Sequence, residues 1–179
     1  MKIEELYLYF LETTGVTTDT RKIEANNFFI ALKGDTFNGN EFAQKALELG
    51  AKYALIDESK FKKNDQYILV DNCLETLQKL ANYHRQQLPC KIIGLTGSNG
   101  KTTTKELIYA VLSQKYKTQA TFGNLNNHIG VPLTLLSFRK DTEMGIVEMG
   151  ANHQKEIEFL CTIAQPNFGY ITNFGKAHL

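Results

Sequence analysis

Ile92-Ile93-Gly94-Leu95-Thr96-Gly97-Ser98-Asn99-Gly100-Lys101-Thr102-Thr103-Thr104 passes from an apolar strand pattern through a glycine turn into a helix start. That order builds an anion site. A helix N-terminus presents unpaired N–H groups and the positive end of its dipole. Gly97 and Gly100 permit backbone angles that a side chain would block, so successive N–H groups can turn inward. Lys101 adds a charge suited to terminal phosphates, and the Thr102 hydroxyl is of the kind that ligates magnesium. The general phosphate-loop spacing asks for glycine at position 95. Leu95 stands there, and Gly94 lies one residue too early.

Outward from this loop, the downstream pattern predicts a helix over 101–114, a strand over 117–121 and a short apolar helix over 130–138. A strand over 145–149, a helix over 154–164 and a strand over 167–173 follow. Upstream, Ile3, Leu6, Tyr7, Phe10 and Leu11 form one helical stripe, stopped by Gly15. Residues 27–32 read as a strand, 41–49 as a helix capped by Gly50, and 53–56 and 67–70 as strands. Leu74, Leu77, Leu80, Ala81 and His84 repeat at helical spacing, which gives His84 a partly buried structural place. Leu88-Pro89-Cys90 then breaks the helix. The predicted class is α/β: a small α/β domain over 1–88, then a phosphate-loop domain with a parallel sheet over 89–179. Strands alternating with helices imply a sheet covered on both faces. The chain stops just after a strand, where a doubly wound domain normally continues. The second domain therefore reads as the N-terminal part of a longer one.

The 179 residues carry a net charge of +1, which gives no reason to expect nucleic acid or an anionic membrane as partner. No apolar run approaches the ~20 residues of a membrane helix. The opening Met-Lys-Ile-Glu-Glu places acids where a signal peptide would be apolar. Cys73, Cys90 and Cys161 are odd in number and far apart, which fits reduced thiols in a cytoplasmic protein.

The longer string Leu95 to Glu106 resembles the Thr-Gly-Thr/Ser-Asn-Gly-Lys-Thr loop of the Mur ligases, a loop without the upstream glycine. Gly123-Asn124-Leu125-Asn126-Asn127-His128-Ile129-Gly130-Val131-Pro132 is similar to the stretch after the second strand in the D-alanyl-D-alanine-adding branch of that family. Glu148-Met149-Gly150-Ala151-Asn152-His153 resembles a further family segment, and Asn173 followed by His178 another. Thr18-Asp19-Thr20-Arg21-Lys22-Ile23 and the run 28–34 are similar to the family's uridine-diphosphate domain. Thr20 stands for the usual serine, and Asn38-Gly39-Asn40 replaces the usual Asp-Gly-His.

The resemblance implies an ATP-dependent, magnesium-dependent amide ligase of peptidoglycan precursor synthesis. It would act as a monomer, with UDP-N-acetylmuramoyl-tripeptide and D-alanyl-D-alanine as substrates and an acyl-phosphate intermediate. Gly97, Ser98, Asn99, Gly100, Lys101, Thr102 and Thr103 would hold the nucleotide. Thr102 and Glu148 would hold one magnesium, and His178 would help hold a second. Lys101, Glu148 and His178 form the expected catalytic set. Thr20, Arg21, Asn126 and Asn127 would meet substrate. His153 reads as a capping or surface residue. The family's third domain and a carbamylated lysine would lie beyond Leu179, so this chain alone is expected to lack ligase activity. Another ligase of the superfamily, of the MurE or folylpolyglutamate type, and a nucleotide-binding module without catalysis are the rival readings.

Overall fold

The computed structural model describes residues 1–175, and the chain divides into two compact units, Met1–Leu80 and Ala81–Leu179. The first unit opens with helix α1 (Ile3–Leu11), which buries Leu6, Tyr7 and Phe10 on one stripe. Its sheet holds β1 (Val16–Thr17), β2 (Phe28–Ile30), β3 (Tyr53–Ile56) and β4 (Tyr67–Leu69), all parallel and in sequence order. Phe28, Phe29 and Ile30 are all buried, as are Ala54, Leu55 and Ile56. Continuous apolar runs mark strands buried on both faces. Helix α2 (Ala43–Glu48) inserts Ala43 and Ala46. Gly50, at φ +109, ends that segment in a conformation glycine tolerates. Sequence pattern does not predict β1. Two residues show no period, and only pairing of Val16 with Phe28 and of Thr17 with Phe29 makes them a strand.

Helix α3 (Cys73–Gln87) crosses the division between the units. Its last turns belong to the second unit and are held there by buried polar groups. Arg85 Nε donates to the Ala164 carbonyl at 3.1 Å, and Nη2 donates to Gln165 O at 3.2 Å and Asn167 Oδ1 at 2.9 Å. Those carbonyls close helix α6 (Glu156–Ala164), whose last C=O groups have no partner within the helix. Asn167 Oδ1 also accepts from Ile92 N–H at 2.8 Å. The breaking prolyl segment at 88–90 therefore lies inside the second unit, eight residues past the point where the contacts divide.

The second unit is a parallel sheet of β5 (Lys91–Thr96), β6 (Thr118–Ala120), β7 (Met144–Glu148) and β8 (Phe168–Ile171), in the order β6-β7-β5-β8. Helices α4 (Lys101–Leu112), α5 (Gly130–Ser137) and α6 connect the strands. Strand β5 lies between β7 and β8, so the chain leaves it at a switch in strand order. Open α/β sheets bind ligands at the carboxyl edge of such a switch. Among the described residues, the expected cover on both faces is incomplete at one place. Ile93, Leu107, Ile108, Val111, Leu112, Phe168 and Tyr170 line an open apolar groove of ≈ 520 Å³. Cover for such a groove requires another element packed on it, and local periodicity cannot supply that. The three cysteines are free. No helix among the described residues is long and apolar enough to cross a membrane.

His84 is buried, with Nε2 2.9 Å from the Phe138 carbonyl oxygen. Burial pushes its pKa below the ordinary 6.5, against the raising effect of that hydrogen bond; Lys140 adds repulsion. The unfolded chain then binds the proton more readily than the folded chain. The neutral histidine's contribution is present above pH 6.5 and is lost as pH falls through the lower folded value. Urea unfolding of the wild type is expected to show this slope, up to about 1.4 kcal/mol per pH unit inside that window. In His84→Leu this component of the slope should be gone; an unchanged profile would refute the assignment.

Candidate active site

Two glycines shape the loop that follows β5. Gly97 has φ +137 and Gly100 has φ +76, both in the left-handed region. Gly100 is also the N-cap of α4, so the turn delivers the chain directly into a helix start. At Gly97 a Cβ would lie 2.0 Å from Thr172 Oγ1 and 3.0 Å from Thr172 N. Only hydrogen fits where the loop touches the end of β8.

That contact belongs to a wider clasp. Asn99 N–H donates to Asn173 Oδ1 at 3.0 Å, and Asn173 Nδ2 donates back to Asn99 O at 3.1 Å. The Thr172 hydroxyl donates to the same carbonyl at 2.6 Å. Ser98 Oγ accepts from Gly175 N–H at 2.9 Å and donates to Gly175 O at 3.1 Å. The loop's polar groups are thus held from one side by the segment after β8. Lys101 closes the other side: its Nζ donates to Gly97 O at 2.7 Å and to Ser98 O at 3.4 Å.

Glu148 ends β7 beside this loop and is 1% exposed. Its Oε1 accepts from Asn126 Nδ2 at 2.9 Å and from the Thr102 hydroxyl at 3.4 Å. Its Oε2 is buried and has no hydrogen-bond partner among the described residues. A buried carboxylate oxygen without a donor is costly unless a cation meets it. Magnesium prefers oxygen donors and binds through one or two carboxylates together with water and phosphate. Glu148 and Thr102 fit that donor set. Among the described residues no group of three His, Cys, Asp or Glu side chains converges.

The other predicted positions fall as follows. Asn126 joins the site through Glu148. Asn127 is engaged locally, where its Oδ1 accepts from Ile129 N–H at 3.0 Å and Gly130 N–H at 2.8 Å, capping the entry to α5. Both asparagines line a cavity of ≈ 320 Å³ with Lys101, His128, Asn152 and Glu156. His153 is exposed, in keeping with a surface position; the cap here is Glu156, whose Oε2 accepts the His153 N–H at 3.0 Å. Thr20 and Arg21 lie in the first unit, in a short 3-10 turn capped by Asp19. The Arg21 side chain is 87% exposed and pairs with Asp19 at 2.7 Å. Hydrogen bonds from that guanidinium hold the Asp19 carboxyl at about 2. His178 lies outside the described residues.

Sequence reasoning misses Thr121 and Thr172 as parts of the site, and it assigns Lys105 no role. Threonines near strand ends are common, and no spacing rule marks them out. A lysine on the apolar side of a helix pattern is the one signal that was there to find.

Residues 12–85 match the Mur ligase family catalytic domain, and residues 95–179 match the Mur ligase middle domain. Over 167 residues the chain is 47% identical to the UDP-N-acetylmuramoyl-tripeptide--D-alanyl-D-alanine ligase of Bacillus subtilis, covering 92% of this chain and 36% of that protein. Among solved structures, MurF from Acinetobacter baumannii superposes with a TM-score of 0.85 at 34% identity, over 99% of this chain and 42% of that one. MurF from Thermotoga maritima in complex with ADP superposes with a TM-score of 0.76 at 34% identity, over 88% of this chain and 36% of that one. The chain thus spans little more than a third of the length of the curated relatives it matches. Two consecutive domain matches, in the order the fold presents them, show that the chain belongs to the Mur ligase family.

Proposed function

We propose that this chain is the nucleotide-binding and acceptor-binding part of an ATP-dependent ligase that adds D-alanyl-D-alanine to UDP-N-acetylmuramoyl-tripeptide. The observation that carries the reading is the meeting of Lys101, Thr102 and the half-satisfied Glu148 carboxylate at one sheet edge. The names of the relatives supply the substrates. In the reaction, ATP gives its terminal phosphoryl group to the tripeptide's terminal carboxylate. The amine of D-alanyl-D-alanine then attacks the acyl phosphate, an amide forms and phosphate leaves.

The protein's share in this is alignment and charge neutralisation. The N–H groups at the start of α4 would face the phosphates. Lys101 would exchange its bond to Gly97 O for a phosphate oxygen and carry charge to the transferred group. Thr102 and Glu148 would hold magnesium, whose chemistry is to screen the phosphate oxygens and fix their direction. Asn126 and Asn127, lining the cavity beside Lys101, would orient the tripeptide carboxylate. Thr20 and Arg21 would take the uridine diphosphate, with Arg21 passing from Asp19 to a phosphate. His178, outside the described residues, would help hold a second magnesium. The reading places the reaction in the cytoplasm, on a monomer.

The test is a calorimetric titration of ATP with magnesium against this chain and Lys101→Ala. A lost charge-assisted bond is worth about 1.5–3 kcal/mol, so the variant should bind roughly 10- to 100-fold more weakly. Equal binding by both, or none by the wild type, would overturn the reading.

A further inference from the structure

Lys105 is 1% exposed, the buried residue of α4, and its side chain points inward from the helix that follows the phosphate loop. A buried ammonium group is unfavourable unless its protons are bonded, and an apolar side chain would fill the same volume without that cost. Its partners show what it holds. Lys105 Nζ donates to the Thr121 carbonyl at 2.7 Å and lies 3.1 Å from Glu106 Oε1. Thr121 follows the last residue of β6, and each of its polar groups is in use. Its N–H donates to Ile146 O at 2.9 Å, and its hydroxyl accepts from Glu148 N–H at 2.9 Å. Lys105 takes the carbonyl.

We propose that Lys105 is a positioning residue for the cation site: through Thr121 it braces the helix carrying Thr102 against the strand end carrying Glu148. The two donors stand on different elements, 46 residues apart in sequence, and come within 3.4 Å. A shared ion requires that gap to be held. Lys105 lies three residues after Thr102 on the same helix, so Thr102 and Lys105 share a face. The brace thus runs from Thr102 down α4 to Lys105, across to Thr121, and along one hydrogen bond to Glu148. Lys105 Nζ is engaged by the Thr121 carbonyl and Glu106, so its part in the site is indirect. Its effect falls on the magnesium-dependent part of nucleotide binding, because the glycine loop is held separately by Thr172 and Asn173.

The proposal rests on the nucleotide-and-magnesium reading above, and the experiment keeps the two apart. ATP affinity is measured by calorimetry with and without magnesium, and the ratio of the two affinities is the readout. Manganese, substituted for magnesium, gives an independent signal through the electron-resonance spectrum of its nucleotide complex. Supporting partners of a metal ligand typically change metal affinity 10- to 100-fold. Lys105→Met should therefore lower the magnesium ratio about 10-fold or more, leave metal-free ATP binding within about 2-fold, and broaden the manganese spectrum. Thr121→Val, which removes the hydroxyl that holds Glu148, should do the same. Thr121→Ser, which keeps it, should behave as wild type. This second pair tests the Thr121–Glu148 link by itself, since both variants keep the carbonyl that Lys105 holds, and it can overturn the brace even if Lys105→Met does not fold. An unchanged magnesium ratio in Lys105→Met, equal loss with and without magnesium, or Thr121→Val matching Thr121→Ser would each overturn the brace. A wild type that binds no ATP would overturn the underlying reading, and the brace with it.

Discussion

Gly97→Ala is expected to abolish measurable nucleotide binding and to lower the melting temperature of the second unit by about 10–20 °C. Two independent costs add at this position. The φ of +137 is one that a residue with a side chain rarely adopts, and the new methyl carbon would sit 2.0 Å from Thr172 Oγ1. Thr172 cannot simply swing away. Its hydroxyl holds the Asn99 carbonyl, and its backbone N–H, 3.0 Å from the same point, donates to Thr96 O at 2.9 Å in the β5–β8 pairing. Relief requires either the loop or the strand end to shift, and both shape the phosphate site. A strained φ with a steric clash costs roughly 2–4 kcal/mol, and each kcal/mol shifts melting by about 4–8 °C in a domain of this size. Gly100→Ala separates the two costs. Among the described residues a Cβ there meets nothing within 4 Å, which leaves the φ of +76 to oppose it. That variant should lose about 1–2 kcal/mol. Thermal melts and ATP titrations of both variants check the claim. Equal behaviour of the two would show that the Thr172 contact is soft and that the clasp does not shape the loop.

Glu148→Gln is expected to move stability and magnesium binding in opposite directions. Without metal, the wild type buries a carboxylate of which, among the described residues, only Oε1 has donors. Replacing that charge with a neutral amide of the same shape should raise stability by about 1–2 kcal/mol. In the presence of magnesium and ATP the order should invert. The wild type gains the linkage term for a ligand that binds only the folded state, about 2.7 kcal/mol at a hundredfold excess over Kd. The variant, having lost the carboxylate, should show little or none of the magnesium-dependent part. Melting curves of both proteins, with metal chelated and with magnesium and ATP added, give four midpoints. A variant less stable than wild type without metal, or one that keeps the full magnesium shift, would remove Glu148 from the cation site. A residue that costs stability until its ligand arrives is the usual mark of a functional position.

The strand, glycine turn and helix start at 92–104 were readable because each depends on local chemistry. A short apolar run, backbone freedom at Gly97 and Gly100, and a lysine at the helix start are properties of neighbours in sequence. The same holds for α3, where Leu77, Leu80, Ala81 and His84 recur at helical spacing, and for the all-buried β2. Strand β1 was not readable, since Val16 and Thr17 become a strand only through Phe28 and Phe29. Asn127 shows how resemblance and geometry can weight a residue differently: its carboxamide oxygen is occupied in capping α5. The groove between α4 and β8 likewise follows from what packs where, which no periodicity reports.

By itself, then, the sequence determined the class of fold, the position of the phosphate loop and the family, because short-range conformational preference and a specific string of residues suffice for those. The tertiary structure alone decided what surrounds that loop. It brought Glu148 to Thr102, left one carboxylate oxygen buried without a donor among the described residues, clasped Asn99 with Thr172 and Asn173, and placed Lys105 on Thr121. These contacts join residues separated by 16 to 74 positions. Burial, register and crossover order set them, and those are properties of the packed sheet rather than of any segment within it.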